Sequence, residues 1–158
     1  MERDVPMMGR FSTIAILALL LVVGSPASLG QEVQTLVLVA GQNSDIPALS
    51  PEEVRSTFMG APEVKNNVRL KPVLNETDPL LREVFLQKVM FVSWKHYQQR
   101  LVEQAFRAGW PMPQIVSDQT ALAKALREQP GALTYMWEST AKSLGVKIVQ
   151  VLWSGSSS

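Results

Sequence analysis

The sequence predicts an α/β domain in which helices pack against a β-sheet. Short apolar runs bounded by turn residues alternate along the chain with segments in which apolar residues recur at helical spacing. Strands that alternate with helices are typical of layered α/β folds. The predicted strands, each short and mostly apolar, are residues 35–40, 68–74, 114–116, 132–136 and 146–152.

The first strand and the first helix have the clearest signals. Residues 35–40 are apolar and rich in β-branched side chains, and Gly41 follows them, which predicts a buried strand. Ser50 stands three residues before Glu53, the spacing of a capping box. We therefore expect a helix that begins after Ser50 and stops at Gly60.

The second predicted strand contains Pro72, which lacks an N–H and so favours an edge strand or the end of a strand. A helix is expected to begin near Asp78, with that aspartate as its N-cap, and to continue to about residue 89. Ser117 is a plausible cap for a later helix. The remaining predicted helices are residues 93–108, 121–126 and 138–144.

The helix predicted over residues 93–108 has a broad apolar face, which we expect to lie in the core. Its members are Trp94, Tyr97, Leu101, Val102, Ala105 and Phe106. His96 lies between charged and polar neighbours and is interpreted as a surface residue. Trp110 sits in the connection after this helix, where packing explains it less well, so it is a candidate for a partner or ligand surface.

Residues 1–30 have the layout of a secretory signal peptide. Two arginines precede an unbroken apolar run over residues 14–23, and small residues follow it. An uncleaved anchor is the alternative, but this run is short against the roughly 20 residues that a helix needs to cross a bilayer. Both Ala27 and Gly30 end acceptable cleavage motifs, so two cleavage sites remain open. Residues 31–158 suffice for one domain with a core.

Composition excludes several functional classes. The net charge of +1 gives no sign of the basic patch that nucleic-acid binding requires. Without cysteine the chain has no disulfides and no thiolate zinc site, and its single histidine excludes a multi-histidine metal site. A glycine-rich phosphate loop, a nucleophile elbow and a catalytic carboxylate pair are all missing. We expect no enzyme activity, no metal and no cofactor.

Four segments together carry a resemblance to a known family. They are "LSPEEVRSTFMG" at residues 49–60, "LREVFLQKV" at 81–89, "PGALTYM" at 130–136 and "KIVQVL" at 147–152. In this order they resemble segments of the phosphate-type periplasmic substrate-binding proteins, whose corresponding helix reads L-S-x-x-x-L-x-x-I-F-x-G and whose later strand reads P-G-A-I-G-Y-V.

The resemblance implies a fold and a function. It implies an α/β fold consisting of a single periplasmic-binding-protein-like lobe, a mixed sheet flanked by helices, over residues 31–153, with a disordered tail at 154–158. It implies a non-catalytic periplasmic protein of the kind that serves phosphate ABC transporters. The ligand would be phosphate or another small oxyanion, and the protein partner an ABC permease or an envelope protein.

The family's anion motif, R-x-D-x-S-G-T-R, is only partly kept. Arg82 matches the final arginine, but Pro79, Leu80 and Leu81 stand where the family has serine, glycine and threonine. These substitutions remove hydroxyl donors and one N–H group. Asp78 adds a carboxylate at the predicted helix start, where it would occupy first-turn N–H groups and repel an anion.

The resemblance therefore implies a degenerate anion site. The residues left to form it are Asn75, Thr77 and Arg82, joined by Asn43 and Ser44 in the loop after the first strand. Arg82 has an alternative interpretation as a solvated ion-pair partner of Glu76, Asp78 or Glu83. The alternative function is an envelope adaptor that uses the same fold without a small ligand, and a dimer that completes the half cleft is also conceivable.

Overall fold

The computed structural model describes residues 33–156, so the predicted signal peptide at 1–30 lies outside the described residues. The strands in this part of the chain are β1 Gln34–Ala40, β2 Val64–Lys65, β3 Val68–Arg69, β4 Lys71–Asn75, β5 Gln114–Val116, β6 Ala132–Trp137 and β7 Lys147–Gly155. The helices are α1 Pro51–Phe58, α2 Pro79–Phe85, α3 Trp94–Ala108, α4 Gln119–Glu128 and α5 Glu138–Leu144. A π-helical segment, Leu86–Met90, continues directly from α2.

Five of the strands form one mixed sheet in the order β5-β4-β6-β1-β7. Strand β4 pairs in parallel with both β5 and β6, whereas β1 is antiparallel to both β6 and β7. The other two strands, β2 and β3, form a hairpin. Its turn residues Asn66 and Asn67 have φ of 48° and 62°, the left-handed conformations that a type I′ hairpin turn requires and that asparagine tolerates.

Helices cover both faces of this sheet. Leu36 and Leu38 of β1 pack with α1, α2 and α3 on one face, and Val37 and Val39 pack with α4 and α5 on the other. This alternation follows from the two-residue period of a strand. Helices on both faces of a mixed sheet confirm the predicted fold class.

Three aromatic rings lie close together in the larger of the two core clusters. Phe85 of α2 stacks on Tyr135 of β6 with ring centroids 3.8 Å apart, and Phe58 of α1 meets Phe85 edge-on at 4.9 Å. Aromatic pairs contribute about 0.5–1.5 kcal/mol beyond their burial. The contacts join two helices to a central strand and hold α2 in a fixed position over the sheet.

The second predicted strand, residues 68–74, is two strands. The N–H of Leu70 donates to the carbonyl of Glu63 in the hairpin, and the next N–H, that of Lys71, donates to Gly131 in the main sheet. The backbone thus changes partner at Leu70. Pro72 lies near the start of an interior strand rather than at an edge, and the β5 ladder begins only after it, at Val73.

Helix α3 corrects part of the predicted core. Tyr97 and Leu101 are buried, but Val102 is 61% exposed and Phe106 is 92% exposed. The predictions of Val102 and Phe106 as core are wrong, because no residue of α3 beyond Leu101 is buried. Helical spacing identified the apolar face of α3 but not where along the helix its contact with the core ends.

Two boundary predictions also change. Asp118, not Ser117, caps α4, because its carboxylate accepts the N–H of Ala121 at 2.7 Å. The predicted tail at 154–158 begins too early, since Ser154 and Gly155 pair with the start of β1 and extend β7. Cross-strand pairing supplies order that composition does not reveal.

Candidate functional site

The carboxyl ends of β4, β5 and β6 lie at one edge of the sheet, because β4 runs parallel to both of its neighbours. Each of these strands leads towards a helix N-terminus, that of α2, α4 or α5. From β4 the chain reaches β5 on one side and later β6 on the other. Ligands of open α/β sheets bind at such a switch point. We call this region, residues 75–78, 117–118 and 137–139, the strand-end edge.

Asn75 and Thr77 lie at the strand-end edge and bond to each other. The Asn75 side-chain oxygen accepts both the Thr77 N–H at 3.0 Å and the Thr77 hydroxyl at 2.7 Å. The Asn75 amide nitrogen donates to the carbonyl of Tyr135 at 3.0 Å, and the side chain is buried. Both donors of Thr77 are therefore engaged within the protein and point to no external anion.

Asp78 is the N-cap of α2, as the sequence predicts. One carboxylate oxygen accepts the N–H of Leu80 at 2.9 Å, and the other accepts the indole N–H of Trp137 at 2.9 Å. Since Trp137 ends β6, this carboxylate ties the start of α2 to the neighbouring strand. A negative charge thus occupies the first turn, where an anion would otherwise be held.

Arg82 is held by two groups of the protein. Its guanidinium Nη1 lies 3.5 Å from Glu76 Oε1, and its central carbon lies 4.7 Å from the ring centroid of Trp94. Of the three acidic partners that the sequence allowed, the structure selects Glu76. That Glu76 oxygen is buried and accepts no hydrogen bond from the described residues. The contact is therefore an ion pair without a hydrogen bond, and not a bidentate bridge.

The other two helix starts at this edge also carry acids. Asp118 caps α4, and Glu138 in the first turn of α5 pairs with Lys142 at 2.7 Å. With Glu76 and Asp78, this region and its helix starts carry four carboxylates against the two cations Arg82 and Lys142, so the local charge opposes anion binding. Sequence reasoning did not identify Asp118 or Trp137 as members of this region; an aspartate between a strand and a helix is a signal that could have found the former.

Asn43 and Ser44 lie at the opposite edge of the sheet. Strand β1 is antiparallel to β6, and its last residue, Ala40, pairs with Leu133 near the start of β6. The loop after β1 therefore lies at the end of the sheet where β4 and β6 begin. The five predicted site residues therefore form two separate groups.

A cleft of about 590 Å³ lies at this opposite edge beside Asn43, Ser44 and Arg127. Two polar groups of Ser44 in its lining are bonded within the protein. The Ser44 carbonyl accepts from the Lys147 ammonium, and the Ser44 hydroxyl accepts the N–H of Ile46 at 3.3 Å. Size is the only feature that supports this cleft as a ligand site. The strand-end edge is the stronger candidate, because it has the topology of a ligand site.

The two tyrosines of the chain are structural. Tyr135 donates its hydroxyl to the carbonyl of Asn75 at 3.1 Å, and Tyr97 donates to the carbonyl of Phe58 at 2.6 Å. Burial raises the pKa of both phenols, and the nearby Glu76 carboxylate adds to the rise at Tyr135. Both hydroxyls therefore stay protonated at neutral pH.

Residues 33–156 contain no group of three histidine, aspartate or glutamate side chains placed to bind a metal.

Comparison with solved structures gives three similar folds. An ABC-type phosphate transport receptor from Vibrio cholerae aligns with 76% of this chain and 47% of its own, at 13% identity and a TM-score of 0.54. PstS from Borrelia burgdorferi aligns with 75% of this chain and 47% of its own, at 11% identity and a TM-score of 0.52. A protein described as a phosphate ABC transporter substrate-binding protein with bound phosphate, from Clostridium perfringens, aligns with 76% of this chain and 46% of its own, at 14% identity and a TM-score of 0.54.

The chain has the fold of the aligned part of these proteins, and it spans slightly less than half of their length. Identities this low establish the fold relationship alone. No protein-family model and no curated protein matches the sequence. Among the described helices, none has both the length and the apolarity of a membrane span.

Proposed function

We propose that this protein is an exported, non-catalytic binding domain of the phosphate-receptor type, with its ligand side at the strand-end edge and with a degenerate anion site. The observation that supports this most directly is the convergence of three parallel strand ends and three helix N-termini at one edge. The similar solved structures, which include receptors for phosphate, support the same class. A periplasmic location follows from the predicted signal peptide.

Asn75, Thr77 and Arg82 are the residues through which such a site would act, and Asn43 and Ser44 are too far along the sheet to join them. In the present geometry the Arg82 charge faces Glu76, and the Thr77 donors face Asn75. We therefore expect phosphate to bind with a Kd in the millimolar range, on the order of 4 kcal/mol of binding free energy.

The test is calorimetric titration with phosphate and sulfate of the wild type and of Glu76→Gln. Removing the Glu76 charge frees Arg82, so affinity should rise about twofold to fivefold, the size of a partly exposed ion pair. Arg82→Ala in the Glu76→Gln background should abolish the gain. Glu83→Gln, on the exposed side of the same helix, is the matched control and should change nothing.

An envelope adaptor without a small ligand is the second candidate. The closure of the strand-end edge by its own hydrogen bonds and the exposed Phe106 side chain on α3 favour it. If neither the wild type nor Glu76→Gln binds phosphate or sulfate, the receptor proposal is overturned in favour of the adaptor. Micromolar binding by the wild type would instead contradict the degenerate site.

A further inference from the structure

A small cleft of about 250 Å³ lies beside β7 and shares no lining residue with the strand-end edge. Val89 and Leu152 contribute apolar lining, and Arg55, Lys88 and Phe91 also border it. We call it the Phe91 cleft. It is smaller than the roughly 300–1,000 Å³ typical of small-molecule pockets, so its size suits a single side chain of a protein partner better than a free solute.

Phe91 is strained and exposed at the same time. It has φ of 55° and ψ of 38°, in the left-handed region, where it ends the π-helical segment Leu86–Met90. This conformation costs a residue with a Cβ roughly 1–2 kcal/mol. The side chain is 70% exposed, so burial returns little of that energy. A bulky residue kept in such a state at the end of a π-helix is characteristic of a functional surface.

The two charged residues that line the cleft, Arg55 and Lys88, are both basic. The Arg55 guanidinium carbon lies 5.8 Å from the Phe91 ring centroid, and Arg55 also pairs with the exposed Glu52 at 3.0 Å. Lys88 is exposed and has no ion-pair partner among residues 33–156. The described lining residues include no acid. An apolar group next to a carboxylate would complement this surface.

The neighbouring strand offers backbone groups. Strand β7 is the last strand on its side of the sheet that the described residues form, and Lys147 carries its only charge. In the middle of the strand, the Gln150 side chain accepts the N–H of Leu49 at 2.6 Å and donates to the Leu49 carbonyl at 2.9 Å. The second half includes Val151, which is 58% exposed. An edge of this kind can accept an added strand.

We infer that the C-terminal half of β7 and the Phe91 cleft form a docking site for an extended segment of a partner protein. The segment adds to the β7 edge, places one apolar side chain in the cleft and directs a nearby carboxylate to Lys88. This site is independent of the strand-end edge, and it does not require that edge to bind any anion.

The test uses protein purified after expression of the full-length chain and a phage-displayed library of random 12-residue peptides. The selected peptides should share an aromatic or leucine residue with an aspartate or glutamate within two positions. The best one is then labelled and titrated by fluorescence anisotropy. Phe91→Gly should weaken binding at least tenfold without lowering the Tm, because glycine adopts φ of 55° freely.

Charge-reversal variants provide a second test in the same binding experiment. Lys88→Glu should weaken binding at least fivefold, and Lys95→Glu, an exposed lysine on α3, should leave it unchanged. Failure to enrich any shared motif would overturn the inference, as would a motif whose binding survives Phe91→Gly. Sedimentation that shows a dimer dissolved by Phe91→Gly would also overturn it and assign the cleft to a second copy. Phosphate titrations should be unaffected by either cleft variant.

Discussion

Asn75 illustrates how a side chain that matches a ligand position can be used by the fold itself. Its oxygen accepts both donors of Thr77, and its nitrogen holds the carbonyl of Tyr135 in β6. Asp78 acts in the same way, since its two oxygens serve α2 and Trp137. A buried polar group left without partners costs about 1–3 kcal/mol, so these bonds stabilise the edge while they close it.

The free energy of unfolding at high pH should depend on the ionisation of the two buried tyrosines. Burial raises the pKa of Tyr97 and Tyr135 above the ordinary value of about 10, so only the unfolded chain ionises them near that pH. The free energy of unfolding should therefore be unaffected by the phenols below about pH 10 and should fall above it, by up to about 1.4 kcal/mol per pH unit for each tyrosine.

Urea unfolding of the wild type and Tyr97→Phe between about pH 9 and about pH 11 measures this effect. The variant should be less stable by about 1–2 kcal/mol at pH 9, since it loses the hydrogen bond to Phe58, yet its stability should decline less steeply with pH. Equal slopes for the two proteins would show that Tyr97 ionises equally in both states.

At the scale of elements, the close approach of β3 to the start of β6 decides where β4 begins. Gly131 precedes β6 with φ of 83°, and a Cβ built on it would collide with the carbonyl oxygen of Arg69. Its own carbonyl accepts the first N–H of β4, that of Lys71, at 2.8 Å. Glycine at this position therefore allows the hairpin and the main sheet to meet.

Gly131→Ala should be considerably more destabilising than Gly145→Ala. Both glycines have positive φ, but a Cβ on Gly145 would meet nothing within 4 Å. Gly145→Ala should cost only the conformational strain, about 1 kcal/mol, whereas Gly131→Ala adds overpacking for a total of about 2–4 kcal/mol. Urea unfolding of both variants measures the difference, and equal losses would contradict the close approach.

At the scale of the whole molecule, export remains a prediction from residues 1–30. Expression of the full-length chain with its own N-terminus in a bacterial host, followed by intact-mass analysis of the periplasmic fraction, should give a mature protein that begins at Ser28 or Gln31. Leu19→Arg, placed inside the apolar run, should block export and leave the full-length mass in the cells. An unprocessed wild-type chain in the membrane fraction would contradict cleavage.

The sequence by itself determined the order and type of the main elements. The capping box at Ser50, the N-cap at Asp78 and the end of the third helix at residue 108 depend on groups a few residues apart, so they can be identified without the fold. The alternation of short apolar runs with helical segments was sufficient for the α/β class. The loss of hydroxyls before Arg82 was likewise visible in the residues alone.

Only the tertiary structure decided which of these residues meet. Because β1 pairs antiparallel with β6, the loop that carries Asn43 and Ser44 lies at the opposite end of the sheet from Asn75, Thr77 and Arg82. Strand direction is set by long-range pairing, and no local pattern encodes it. For the same reason the exposure of Phe106 and the choice of Glu76 as the partner of Arg82 followed from the packing of distant elements.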